Sequence, residues 1–270
     1  MKFRTNAVIG GLLVGIVAVM ALLSAVWTPF NPLKLNLRLR LNAPSGLHWL
    51  GTDEFGRDIL SRLLAGAGAS LAVAAMTVIV AMVLGTLLGL VSGYFRGRTD
   101  RIMMVVNDAL LAFPGILLAL GIMVITGANK YGIVLALGLA YTPTVVRLVR
   151  GTVLSLREKE FVEASRVIGN SEIVTMLRHI LPNCAAPLMV LGTSMFGWVV
   201  LAESALSFLG LGVPPPAPTW GNMLSSGRPY MESAAWLGIA PGLCIAMTLL
   251  GINLLGDALR DWLDPRMERQ

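Results

Sequence analysis

Charge is scarce in this 270-residue chain: Asp, Glu, Lys and Arg together make up 13% of it, about half the share usual in a soluble globular protein. Apolar residues make up 56%. So few charges cannot cover so much apolar surface in water, which excludes a soluble single-core domain. Disorder is excluded too, because it goes with low hydrophobicity and high charge. Cysteine is limited to Cys184 and Cys244, and histidine to His48 and His179. Neither a CxxC nor a His/Cys cluster with metal-ligand spacing occurs, and the redox compartment stays open. No Ser/His/Asp or Cys/His constellation supports an intramembrane enzyme. The phosphate-cradling pattern GxxxxGK[ST] is missing as well, so ATP cannot be held by that device.

What is present is apolar sequence in long runs. An uncharged run of about 18 residues or more spans ~30 Å of hydrocarbon as a helix. Six stretches approach or meet that test: residues 7–27, 71–95, 102–128 (interrupted by Asn107 and Asp108), 131–146, 185–209 and 233–256. Backbone polar groups in hydrocarbon must be satisfied within the segment, so each reads as a helix. The first run follows Lys2 and Arg4, but it is too long for a signal-peptide core and lacks a convincing small-x-small cleavage site, so an uncleaved span is expected. Few ionisable groups fall inside the runs, which speaks against an ion-coupled secondary transporter.

The net charge of +6 comes from basic residues clustered between the runs, a topology code rather than a nucleic-acid patch. Fourteen of the 21 Lys and Arg residues fall on the side holding both termini. The positive-inside rule places that side in the cytoplasm. Gly85, Gly89 and Gly93 recur every four residues in the second run, a stripe suited to close helix packing. Pro114, Pro143, Pro187 and Pro241 are candidate kinks or helix ends.

Three loops carry further signals. On the outer side, Phe55, Ile59, Leu60, Leu63 and Leu64 recur at helical spacing, with Asp53, Glu54, Arg57, Asp58 and Arg62 on other faces. A short amphipathic helix at the membrane surface is expected there. On the inner side, residues 157–182 read as two short helices. Phe161, Ala164 or Ser165, and Ile168 form one stripe, Gly169-Asn170 a stop, Ser171 an N-cap, and Ile173, Val174, Leu177, Ile180 and Leu181 a second stripe that Pro182 ends. Such an elbow suits docking onto a partner. The outer loop between Gly212 and Asn222 is rich in proline, and Pro214, Pro215 and Pro216 would hold it extended. Trp220 suits an interfacial docking or gating surface, with a structural cap as the alternative. Asp108 and Glu203 are acids within or beside spans, and read either as lining of a translocation path or subunit interface, or as shallow protein-facing groups.

EASRVIG followed by HILPN resembles the EAA motif of membrane subunits of bacterial ATP-binding cassette (ABC) importers. Glu163, Ala164, Gly169, Ile180, Leu181 and Pro182 match the family pattern, and Ser165 stands where the family has Ala. HWLGTDEFGRDILSRLLAGA (His48 to Ala67), ESALSFLGLGVPPPAPTWGNML (Glu203 to Leu224) and NLLGDALRDWLDPR (Asn253 to Arg266) look like the C-type subunit of the dipeptide/oligopeptide/nickel permease group. The resemblance implies an all-α integral membrane fold of six transmembrane helices with a cytoplasmic coupling helix, like a type I ABC importer. Residues 1–42 would form the N-terminal helix and external linker, and residues 43–270 the five-helix transporter domain. It also implies no catalysis, metal or cofactor in this chain, with ATP and Mg held by two partner ATPase subunits. The further partners implied are a homologous B-type permease subunit, an extracytoplasmic substrate-binding protein and membrane lipid, but no nucleic acid. Glu163, Ala164, Ser165 and Gly169 would carry coupling to the ATPase. The cargo stays open among dipeptides, longer peptides, nickel chelates, glutathione-like compounds and other small solutes.

Overall fold

The computed structural model describes residues 2–127 and 129–263, with side chains from Thr5 onward. The tail motif beyond Leu263 (Asp264 to Arg266), Arg269, the end of the third expected span at Ala128 and the side chains of Lys2 and Arg4 lie outside the described residues. Among those described, the chain is helical, and its only β pairing is an isolated bridge between Thr52 and Asp58. Five helices are long and apolar enough to cross a membrane, and a sharply bent pair makes a sixth candidate.

Helix α1 (Lys2–Val26) ends just before Pro29, whose ring cannot continue it. Helix α2 (Ile59–Phe95) has 37 residues, about 55 Å at 1.5 Å per residue, and so overreaches ~30 Å of hydrocarbon. It begins twelve residues before the apolar run expected from residue 71. The short amphipathic surface helix expected around residues 55–64 to feed the second span is therefore corrected: Ile59 to Leu64 are the first turns of α2 itself, and only the residues before them differ. Residues 53–58 form a turn, and the helix starts only where Asp58 accepts hydrogen bonds from the Ser61 amide (2.8 Å) and hydroxyl (2.6 Å). Gly56 explains the turn: its φ is +72°, and a Cβ there would lie 1.8 Å from the Asn36 carbonyl oxygen. Charges expected on solvated faces are instead buried together. The Asp53 carboxylate accepts from the Arg57 amide (2.9 Å) and Arg57 Nε (2.6 Å), with Arg62 Nε at 3.4 Å.

The third expected span is not continuous. Helix α3 (Gly97–Leu111) and helix α4 (Gly115–Thr126) meet at 92° across the Pro114 break. Pro114 disfavours helical geometry in Phe113 and donates no backbone bond of its own. Helix α5 (Lys130–Leu156) starts where Asn129 caps the Gly132 amide at 2.7 Å. It runs ten residues beyond the expected apolar end at residue 146, carrying Arg147 and Arg150 on a helix rather than in a loop.

Two short helices, α6 (Glu160–Val167) and α7 (Glu172–Val174), make the elbow. A π-helical stretch (Thr175–Ile180) and a 3-10 turn (Leu181–Cys184) then lead into helix α8 (Ala185–Phe208). Pro182 does not end the second elbow helix as expected: it sits in the first turn of the 3-10 segment, where its missing N–H costs no bond. Helix α9 (Trp220–Gly227) and helix α10 (Trp236–Leu263) are the last α-helices among the described residues.

The glycine stripe decides how the bundle closes. Added Cβ atoms on Gly85, Gly89 and Gly93 would lie 2.4, 2.7 and 2.8 Å from the Cβ atoms of Val145, Val149 and Val153. Each pair steps four residues along both helices, so one face of α2 lies flush on one face of α5. A Cβ on Gly138 would in turn meet Val80 Cγ1 at 2.7 Å. Contact this close lets dispersion bind helices where lipid leaves no hydrophobic drive between them. Helix α1 docks on α10 by the same means: a Cβ on Gly10 would lie 2.9 Å from the Gly251 carbonyl oxygen, and one on Gly251 2.9 Å from Leu13 Cβ.

Gly89→Val should cost at least the ~1–3 kcal/mol typical of overpacking. Gly121 has no atom within 4 Å of an added Cβ, so Gly121→Ala should be neutral or gain up to ~1 kcal/mol of helix propensity. Unfolding midpoints of the purified protein in detergent measure both.

Candidate functional site

The elbow is held by its inner face and bare on its outer one. Val162 and Ser165 of α6 are buried, whereas Glu163, Ala164 and Val167 are exposed, as are Phe161 and Ile168. The stripe expected from Phe161, Ala164 or Ser165, and Ile168 thus splits: Ser165 points inward and the others outward. The second stripe splits likewise. Ile180 is buried, and Ile173 and Leu177 are exposed. Gly169 makes the turn at φ +90°, a left-handed conformation that β-branched residues rarely adopt. Ser171 caps the next helix, accepting from the Val174 amide at 3.3 Å.

Ser165 is more than a small residue in an alanine's place. Its hydroxyl lies 3.0 Å from Thr175 Oγ1 and accepts from Asn170 Nδ2 at 3.1 Å. Both hydroxyl-bearing residues are buried. The bonds tie the two halves of the elbow across the Gly169 turn. Tyr94, at the end of α2, receives the elbow: Arg157 donates to its carbonyl oxygen, and the guanidinium groups of Arg157 and Arg166 lie 5.8 and 5.3 Å from its ring centroid. Arg96 adds an ion pair to Glu158 at 2.7 Å.

A second cluster lies between α3 and α5. Arg150 grips Asp100 with two bonds (2.6 and 2.7 Å), and Ser92 donates to the same carboxylate at 2.6 Å. Farther along, Arg147 Nη2 donates to Asp108 Oδ1 at 2.7 Å, with side chains 60% and 56% exposed. Such an exposed pair contributes only ~0–1 kcal/mol to stability. Bare charges on a spanning helix are costly against hydrocarbon, so this face of α3 suits water or another protein.

Glu203 and Trp220 belong to neither surface. The Glu203 carboxyl is fully buried, accepting from Ser207 Oγ at 2.8 Å beside Thr219. Within this chain it secures the C-terminal end of α8 and does not line an open path. Trp220, expected as a docking surface, is corrected to a core residue: it is 0% exposed. Its Nε1 donates to the Leu63 carbonyl (3.1 Å) and its amide to Ser70 Oγ (3.2 Å). Thr219 caps α9 by accepting from the Asn222 amide. The preceding loop turns at Pro215–Pro216 instead of running on as an extended rod, so its ends come back onto the bundle.

The cap over the start of α2 also closes through His48, whose Nδ1 lies 2.9 Å from Asp58 Oδ1 and whose ring lies tilted against Phe30 with centroids 4.6 Å apart. Burial beside Arg57 raises the Glu54 carboxyl above its usual pKa, desolvation outweighing the nearby guanidinium.

Five apolar helices long enough to cross a bilayer, a bent pair as the sixth candidate and a braced elbow between α5 and α8 make this a multi-pass membrane protein. The structure superposes on a chain of the inward-facing MetNI methionine ABC transporter with a TM-score of 0.61, covering 75% of this chain and 96% of that one at 18% identity. The family model for a binding-protein-dependent transport system inner membrane component matches residues 85–269, and the chain belongs to that family. Among its relatives are a putative peptide transport system permease protein of Brucella abortus, 42% identical over 96% of this chain and 88% of the relative, and the dipeptide transport system permease protein DppC of Alkalihalophilus pseudofirmus, 41% identical over 99% and 88%. The glutathione transport system permease protein GsiD of Pectobacterium atrosepticum is 44% identical over 85% of this chain and 76% of the relative. Proteins of this kind are multi-pass inner-membrane permeases and not enzymes.

Trp220→Ala should lose ~3–5 kcal/mol, as expected for a fully buried indole. Trp220→Phe keeps most of the volume and should lose about 1 kcal/mol with the indole hydrogen bond. Folded yield and unfolding midpoint separate the two.

Proposed function

We propose that this chain forms half of the translocation path of an ATP-driven importer of short peptides and is moved by partner ATPases through the elbow. The carrying observation is the elbow's asymmetry. Its inner face is pinned by Ser165–Thr175 and by two arginines on Tyr94, while Phe161, Glu163, Ala164, Val167 and Ile168 stand bare. A ridge braced on one side and open on the other can receive a push and pass it to α2 and α8 as rigid-body tilt. Glu163 and Ala164 meet the ATPase, Ser165 stiffens the elbow from within, and Gly169 permits its turn.

Two ATPase subunits bind ATP and Mg, a B-type permease subunit completes the path, and an extracytoplasmic binding protein delivers cargo. Both termini lie in the cytoplasm, and the close seat of α1 on α10 supports its retention as a span. Residues 1–42 are the added helix and linker, and residues 43–270 the transporter domain with its elbow at 157–182. The peptide, dipeptide and glutathione systems of the relatives support a peptidic cargo. Asp108 lies at the path or the subunit boundary, where its exposure to water or protein is cheapest.

In the complete transporter reconstituted with its binding protein, Gly169→Val should lower uptake per ATP hydrolysed several-fold, since a left-handed residue with a β-branch carries ~1–2 kcal/mol of strain. An added Cβ meets no atom within 4 Å, so the effect is conformational, and Gly169→Asn, which tolerates this region better, should keep most of the coupling. Cysteine at Ala164 should crosslink to an ATPase subunit. Wild-type coupling in Gly169→Val, or a crosslink to any other protein, would overturn the assignment. A C-terminal tag should be protected from protease in right-side-out vesicles.

A further inference from the structure

The groove between α3 and α5 has a polarity that the coupling role does not use. It is an open surface groove of about 640 Å³ rather than an enclosed cavity. Arg101, Met104, Val105 and Asp108 line it from α3, and Arg150 and Leu154 from α5. The four α3 residues are spaced i, i+3, i+4, i+7 and so share one helix face. That face reads cation, two apolar residues, carboxylate. Arg101 and Asp108 are seven residues apart, about 10 Å along the helix axis.

Most charges in the groove are already paired. Arg150 holds Asp100, Arg96 holds Glu158, and Arg147 holds Asp108 through Oδ1. Arg101 is exposed and makes no ion pair among the described residues. Asp108 keeps its second carboxylate oxygen, and its exposed bond to Arg147 is easily shared. One uncommitted guanidinium and one half-used carboxylate, with an apolar floor between them, complement a molecule with opposite charges at its two ends.

We propose that this groove is a transit site for short zwitterionic peptides, with Arg101 taking the terminal carboxylate and Asp108 the terminal ammonium. An extended chain covers ~3.3–3.6 Å per residue, so three residues reach about 10 Å, which matches the separation of the two charges. A dipeptide is shorter, and the long arginine side chain closes the difference. Met104 is unbranched and deformable, which suits a floor that must accept different side chains. Arginine meets a carboxylate through two parallel bonds, whereas lysine offers a point charge. The inference rests on the peptide reading of the cargo and adds the subsite and the direction in which the peptide lies.

The test uses the whole transporter with its binding protein in proteoliposomes, and labelled trialanine as cargo. Arg101→Gln should slow trialanine uptake by about tenfold, the loss expected for one charge-assisted bond. Assembly and basal ATPase activity should stay at wild-type level, and Arg101→Lys should recover part of the rate. A tripeptide with a central benzoylphenylalanine, irradiated during turnover, should label Met104 in the wild type and much less in Arg101→Gln. Wild-type uptake by Arg101→Gln, labelling elsewhere, or equal loss of uptake, assembly and ATPase activity would overturn the transit site. If the wild-type complex moves no trialanine at all, the peptide reading itself fails and the subsite falls with it.

Discussion

The contact between Gly85, Gly89 and Gly93 on α2 and Val145, Val149 and Val153 on α5 is the constraint from which the other placements follow. In a bilayer, lipid solvates a leucine as well as a neighbouring helix does, so helices associate where their surfaces fit closely. Three glycines against three valines at a common four-residue step make one long fit and fix both the separation and the register of α2 and α5. The register carries the polar groups with it. Arg150, between Val149 and Val153, meets Asp100 just beyond the end of α2. Arg157, one turn past Val153, reaches the carbonyl of Tyr94, one residue past Gly93. The elbow therefore begins where the packed pair ends, and its base cannot shift without sliding one helix along the other.

The elbow is built to move as a unit. Its interior is small: Val162, Ser165, Thr175, Met176 and Ile180 are its buried members. Two hydroxyls bonded inside that small core prevent the halves from hinging separately. A buried pair of hydroxyls is favourable only when each satisfies the other, so the pair also specifies one arrangement of the turn. Rigidity there and bareness outside are complementary properties of a part that transmits force. The helix that follows has no such interior break, and it reaches from the elbow to Glu203 and the loop above it.

Much of this architecture was legible in residue order because its causes are local. Apolar length marks a span, glycines four apart mark a close seat, and Gly169-Asn170 before Ser171 marks a turn and a cap. The missed features have causes that are not local. Asp53, Arg57, Asp58 and Arg62 look like the wet face of a helix, yet Arg57 and Arg62 pair with Asp53, Asp58 is held by Ser61 and His48, and all four are buried. Pro114 signals a break but not its 92° angle, which depends on what α4 packs against. Trp220 follows a proline-rich loop and reads as interfacial, and only the fold brings it to Leu63, 157 positions earlier. Ser165 reads as a conservative stand-in for alanine until Thr175 is placed beside it. The α3 groove was visible only as one acid, Asp108, because its other wall comes from a helix whose register the sequence does not state.

The knot of His48, Asp53, Arg57, Asp58 and Arg62 has one more consequence. Mobile ions weaken attraction between charges that they can surround, over a Debye length of about 8 Å at physiological ionic strength. These side chains are nearly sealed from solvent, so brine and fresh water leave their mutual attraction almost equally strong. A cap fastened this way keeps its shape from dilute to concentrated salt, whichever compartment it faces.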